Sequence, residues 1–123
     1  MKNMVNWFEI PVKDIERAKK FYEMVFDVKL QDMPMNMEGY RMYVFEHGKD
    51  TVSGALVQGV GYTPSHDGTL IYMNGGDDVS GALGKVTEAG GKVLQEKFAI
   101  GEYGFVAYFE DSEGNKLALH SMK

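Results

Sequence analysis

The feature that most constrains the fold of this 123-residue chain is an internal repeat at an offset of 64 residues. The aligned pairs are Asp14-Ile15 with Asp78-Val79, Ala18 with Ala82, Tyr22 with Val86, and Leu30 with Leu94. A period this long in a short chain indicates two packed modules rather than a solenoid. We therefore expect one unit of a strand, a helix and further strands to occur twice.

The size of the chain predicts one domain with two halves. With 44% hydrophobic residues, 123 residues can bury one sizeable core but not two. The segment 59–68 carries three glycines and Pro64 between two periodic regions, which is typical of a linker. We assign module one to residues 1–58 and module two to residues 69–123.

Composition excludes several classes of function. The formal net charge of −5 provides no broad positive field for phosphate backbones, so we expect no nucleic-acid partner. The absence of cysteine excludes disulfides, zinc–thiolate sites and thiol nucleophiles. No apolar run approaches the roughly 18 residues of a membrane span, and the first residues lack the apolar run of a signal peptide. We predict a cytoplasmic protein with no membrane partner.

Hydrophobic periodicity predicts two amphipathic helices. The first follows an N-cap at Asp14 and runs to Phe26, and the second runs from a cap at Asp77 or Asp78 to Ala89, before two glycines. The predicted strands are 4–12, 28–32, 40–46, 51–58, 69–73, 92–96, 104–109 and 116–121. The Met-rich segment 32–37 is interpreted as a lid or a dimer contact, because methionine suits adaptable surfaces.

Three segments resemble a known superfamily. V-K-D-I-E-R-A-K-K-F-Y-E-M-V-F, E-A-G-G-K-V-L and F-E-D-S-E-G-N-K-L-A-L-H are similar to the vicinal oxygen chelate superfamily, which contains glyoxalase I, bleomycin-resistance proteins and extradiol dioxygenases. The resemblance covers nearly the whole chain. It implies an α+β fold of two tandem βαβββ modules, whose strands form a curled mixed sheet around a trough. It also implies that two chains pair to complete two troughs.

By the same resemblance, metal-dependent members supply ligands from the first and last strands of each module. The alignment and the 64-residue offset place these positions at Trp7, Gly54, Ile71 and Ala118. None of the four carries a carboxylate, imidazole or carboxamide donor. We therefore expect neither a metal nor another cofactor. A divalent metal at a displaced site is the alternative.

Glu9 and His120 are the candidate catalytic residues. Each lies two residues beyond a lost ligand position, so strand alternation predicts that both face the trough. If both strands border one trough, the two side chains can form an acid/base pair or ligate a displaced metal. The alternative is that each is solvated at an open rim.

Four residues are candidate ligand-binding residues. Trp7 can serve as a stacking platform for a planar ligand, or it can fill the space of the lost metal. Met73, Tyr103 and Phe105 are assigned to the lining of the same pocket.

These residues lead to two hypotheses of different class. The first is a protein that binds a small molecule in a metal-free trough and pairs as a homodimer, because open-edged modules in a small chain are stabilised by pairing. The second is a glyoxalase-like lyase or isomerase, or a dioxygenase-like enzyme, that uses Glu9 and His120.

Overall fold

The computed structural model describes residues 3–34 and 37–123. Every predicted helix and strand occurs in it. The bounds are β1 Trp7–Pro11, α1 Ile15–Phe26, β2 Leu30–Met33, β3 Arg41–Phe45, β4 Ser53–Gln58, β5 Tyr72–Asn74, α2 Val79–Val86, β6 Lys92–Ala99, β7 Phe105–Glu110 and β8 Lys116–Ser121, with a 3₁₀ turn at Gly101–Tyr103. Residues 35 and 36 of the Met-rich segment lie outside the described residues.

The strands form two sheets of identical topology. The orders are β1-β4-β3-β2 and β5-β8-β7-β6, with the first pair of each sheet parallel and the others antiparallel. The α+β fold of two βαβββ modules is thereby confirmed. In the described part of the chain no ladder joins β1 to β5, so each of these edge strands is paired on one side only.

Each helix begins at a predicted aspartate cap, which is Asp14 for the first helix and Asp78, one of the two candidates, for the second. The Asp14 side chain accepts a hydrogen bond from the backbone N–H of Arg17, and the Asp78 side chain accepts one from Ser80. The second helix ends at Val86 instead of Ala89, because the following turn is closed by bonds from the glycine N–H groups to the carbonyls of residues 86 and 87. No helix of the described chain is both long enough and apolar enough to cross a bilayer.

Both helices lie between the two sheets and share one core. Residues of both modules belong to a single buried cluster. The Phe21 ring of α1 stacks on Phe109 of β7, with ring centroids 6.1 Å apart. We call the sheet face that packs on the helices the helix face, and the opposite face the trough face.

The turn 111–115 of module two binds the first turn of α1 in module one. The Glu113 carboxylate, whose side chain is 0% exposed, accepts hydrogen bonds from the backbone N–H groups of Lys13 and Asp14 at 2.9 and 2.8 Å. It also pairs with the Arg17 guanidinium at 2.7 Å. A buried carboxylate at a helix N-terminus is favourable because it satisfies free N–H groups and the positive end of the helix dipole.

Asp111 organises the same turn. It accepts a 2.6 Å bond from the buried hydroxyl of Tyr22, and its other oxygen accepts the backbone N–H groups of Glu113 and Asn115. Burial and the neighbouring Asp111 carboxylate raise the pKa of Tyr22 well above its usual value. The phenol therefore stays neutral and donates its proton to the bond that joins the modules.

Replacing Glu113 by alanine is expected to lower the free energy of unfolding by about 2–3 kcal/mol, because hydrogen bonds to a charged group are each worth about 1.5–3 kcal/mol. The substitution also leaves the backbone N–H groups of Lys13 and Asp14, immediately before α1, without this acceptor. Urea denaturation of the variant measures the loss. Glu88→Ala, at an exposed position, is the control and should change stability little.

The same pair of variants tests a pH dependence. Burial opposes ionisation of Glu113, but the hydrogen bonds from Arg17 and the backbone of Asp14 outweigh it and hold its pKa below the usual value. Its contribution is therefore complete above the unfolded-state pKa of about 4.3 and is lost as the pH falls through the lower folded-state value. A stability difference between wild type and Glu113→Ala that stays constant under strongly acidic conditions would contradict this assignment.

Candidate functional site

The repeat has different offsets in its helices and in its strands. The first N–H of each helix is bound by the last residue of its neighbouring strand: Ile15 donates to Gln58 Oε1 at 2.8 Å, and Val79 donates to Ser121 Oγ at 2.9 Å. The two helix residues are 64 positions apart, as the sequence repeat predicts, but Gln58 and Ser121 are 63 apart. Compared with module one, the strands of module two are thus displaced by one residue relative to their helix.

Gly75 and Gly76 accommodate the additional residue. Two residues separate β1 from the cap Asp14, whereas three separate β5 from the cap Asp78. A Cβ on Gly75 would lie 2.8 Å from Val79 Cγ1, and Gly76 has a φ of +74°, which side chains disfavour. Because a shift of one residue exchanges the two faces of a strand, this connection decides which residues of β5 face the trough.

The one-residue shift shows that two of the four positions aligned with metal ligands, Gly54 and Ile71, were wrong. A Cβ on Gly54 would lie 2.6 Å from the Phe8 ring, so Gly54 is on the helix face. Ile71 also packs on the main core. The 63-residue offset replaces them with Ala55 and Leu70, which are the counterparts of Ala118 and Trp7.

The corrected positions still do not suit a metal. Methyl and isobutyl groups have no lone pair, and the Trp7 indole nitrogen is a donor only. Within residues 3–34 and 37–123, no three His, Asp or Glu side chains lie close enough together to hold an ion. The residues present therefore do not fit the metal centre that the superfamily resemblance implies.

Glu9 is the centre of a polar cluster on the trough face of module one. Its Oε1 accepts a 2.8 Å bond from the Tyr62 hydroxyl, and its Oε2 accepts a 3.3 Å bond from Trp7 Nε1. Its neighbour on β4 is Ala55, which is fully buried in the small cluster on which Tyr62 packs. The Trp7 side chain stays 40% exposed.

Tyr62 is a site residue that the sequence reasoning missed. It belongs to the predicted linker and packs beside Val57 and Ala55 in a small second core. Its hydrogen bond to Glu9 raises the pKa of Tyr62, because the carboxylate stabilises the neutral phenol and opposes a phenolate. A single aromatic residue in a glycine-rich segment carried no signal of this contact.

The trough face of module two carries phenols and a cation instead. Tyr72 and Tyr108 flank Ala118 on neighbouring strands, and the Tyr108 hydroxyl raises the pKa of Tyr72. The Lys116 ammonium lies 4.8 Å from the centroid of the Tyr108 ring. His120 Nε2 lies 2.6 Å from the carbonyl oxygen of Tyr103, which ties β8 to the 3₁₀ turn.

Within one chain the structure does not bring Glu9 and His120 together. Glu9 is on β1 of the first sheet, whereas His120 is on β8 of the second. The two side chains share no hydrogen-bond partner. Glu9 lines the cavity between β1 and β5, whereas His120 does not.

The remaining predicted ligand-binding residues lie in three environments. Met73 packs on the main core and also lines the cavity. The Lys97 ammonium lies 4.5 Å from the centroid of the Phe105 ring. Phe105 is the strand partner of Ser121, whose hydroxyl accepts a hydrogen bond from the first N–H of α2. Tyr103 is 68% exposed on the 3₁₀ turn.

A cavity of about 1340 Å³ lies between the edge strands β1 and β5. Trp7 and Glu9 border it from module one, and Tyr72, Met73 and Lys116 border it from module two. Its deeper wall consists of core side chains, including Phe8. This mixture of apolar wall and few polar groups is typical of a small-molecule pocket.

Comparison with known proteins agrees with this architecture. The sequence model of the Glyoxalase/Bleomycin resistance protein/Dioxygenase superfamily matches residues 4–119, so the chain belongs to that superfamily. A glyoxylase-like domain-containing protein of Didymella fabae is 32% identical, in an alignment that covers 97% of this chain and 94% of the relative.

Two solved structures share the fold. TnmS3, an antibiotic binding protein from Streptomyces sp. CB03234, superposes with a TM-score of 0.66 at 26% identity and covers 100% of this chain and 99% of its own. Glyoxalase I from Zea mays has a TM-score of 0.71 at 22% identity, and the match covers 94% of this chain. The match covers 45% of the maize enzyme, so this chain spans about half of its length.

Replacing Glu9 by glutamine is expected to lower the pKa of Tyr62 toward that of an ordinary tyrosine, because the carboxylate that opposes the phenolate is removed. Ultraviolet titration of the tyrosines, with Tyr62→Phe subtracted to isolate the phenol, measures the shift. Glu46→Gln is the matched control, and an equal shift in that variant would show that general charge rather than the hydrogen bond is responsible.

Proposed function

We propose that this protein binds a small planar molecule in the cavity between β1 and β5 and does so without a metal. The observation that carries the proposal is the pairing of an accessible indole with a carboxylate at the mouth of an apolar cavity. Groups without a lone pair occupy the positions at which metal-dependent relatives are expected to hold an ion. Recognition then depends on shape, stacking and hydrogen bonding.

The similarity to TnmS3 supports a binding role. That protein is described as an antibiotic binding protein, and the match extends over its whole length. The chain therefore has the size and fold of a protein in which binding itself is the function. Fold similarity does not transfer a particular ligand.

We further propose that two copies pair as a homodimer. Within the described residues, β1 and β5 each have a partner strand on one side only, and the cavity between them exposes core side chains such as Phe8 and Ile71. An unpaired edge beside an apolar wall is stabilised by association with a second copy.

A proton-transfer enzyme related to glyoxalase lyases is the alternative function. The 2.8 Å bond between Glu9 and Tyr62 favours it, because Glu9 borders the cavity and a phenol bonded to this carboxylate can exchange a proton with it. His120 would take part only if a second copy brought it to this cavity. Turnover of a hydroxycarbonyl substrate that is abolished in both Glu9→Gln and Tyr62→Phe would support the enzyme over the binder.

Binding is expected to be independent of metal. A neutral planar probe, 4-nitrobenzyl alcohol, should bind with the same affinity before and after dialysis against EDTA, as measured by quenching of Trp7, the one tryptophan of the chain. Trp7→Ala should reduce uptake of the probe in equilibrium dialysis, whereas His66→Ala should not. Binding that requires an added divalent metal would contradict the proposal.

The homodimer is expected to persist at micromolar concentration. Light scattering should give twice the chain mass of 13.8 kDa. A mass equal to one chain over the same concentration range would refute the pairing.

A further inference from the structure

We propose that the module-one side of this cavity selects ligands in which a positively charged amine adjoins a planar ring. The inference rests on the proposed function, since it names the chemical class that the same cavity takes. The recognising groups are the Glu9 carboxylate and the Trp7 ring, and Tyr62 holds the carboxylate in place.

The charge of Glu9 has no cationic partner in the described part of the chain. Its two oxygens accept bonds from the neutral donors of Tyr62 and Trp7, and the five ion pairs found there involve other carboxylates. Each carboxylate oxygen can accept more than one hydrogen bond, so both retain capacity for a ligand. An ammonium group matches the remaining charge and the remaining acceptor sites.

The Trp7 ring lies next to this carboxylate. Its N–H points toward Glu9, which places the indole beside the charge. Four cation–π contacts occur among the described residues, and they use Tyr43, Phe105 and Tyr108 but not Trp7. A ligand ring can therefore stack on the indole while its amine reaches the carboxylate, and a cation beside tryptophan gains further attraction.

The other charged groups of the cavity favour a ligand cation on the β1 side over the β5 side. Lys116 lies over Tyr108, and Lys85 is on α2, so both basic residues come from module two. Asp78 is paired with Lys97 at 3.0 Å. Glu46 adds a second carboxylate on the module-one side, near the end of β3.

Three probes of nearly equal size isolate the charge: 4-nitrobenzylamine, 4-nitrobenzyl alcohol and 4-nitrobenzoate, each titrated at neutral pH while Trp7 fluorescence is followed. The amine is expected to bind about five- to tenfold more tightly than the alcohol, as a partly exposed ion pair combined with a cation–π contact allows. The benzoate should bind more weakly than the alcohol.

Variants then assign the preference to Glu9. Glu9→Gln keeps the side-chain size and should make the amine and the alcohol bind equally. Tyr62→Phe keeps the carboxylate charge and should retain the preference. Glu46→Gln makes the same chemical change elsewhere in the cavity and should retain most of it.

The outcomes separate this inference from the proposed function. If all three probes bind equally well in the wild type, the charge preference is overturned and the binding role survives. If the amine preference persists unchanged in a folded Glu9→Gln variant, the assignment to Glu9 is wrong. If none of the probes binds, both the preference and the proposed binding role fail.

Discussion

The insertion of the Glu113 carboxylate into the start of α1 is the interaction on which the rest of the structure depends. It joins a turn of module two to the first helix of module one, and Asp111 adds the buried bond to Tyr22 beside it. Both sheets are thereby held on one pair of helices. Because α1 packs on β3 and β4, this attachment links module two to the first sheet.

One additional residue at Gly75-Gly76 changes which side chains of β5 face the trough. It places β5 63 residues after β1 although the helices keep the 64-residue offset, and one residue fewer between the start of α2 and the end of β8 keeps β8 at 63 as well. Tyr72 consequently faces the trough, whereas Ile71 and Met73 pack on the core. The two troughs differ in chemistry because of this shift and because their side chains differ.

In the proposed binding role, a ligand is recognised by neutral donors, aromatic rings and isolated charges rather than by a metal. Module one presents a carboxylate held by an indole and a phenol, and module two presents two phenols and a lysine. Ala55 and Ala118, which are fully buried, are the strand neighbours of Glu9 and Tyr72. Such a site can orient a ligand without the Lewis acid that a metal would supply.

The sequence by itself determined the repeated unit of a strand, a helix and further strands, the cap of the first helix and most strand bounds, because these follow from local periodicity, capping and turn chemistry. The α+β class and the βαβββ modules were implied by the resemblance of its motifs to the superfamily. The sequence also identified Trp7 and Glu9 as neighbours on one strand face. Only the tertiary structure decided which residues of β5 face the trough, the contact of Tyr62 with Glu9, and the separation of Glu9 from His120. These depend on a one-residue change in a connection and on packing between distant segments, which no local pattern records.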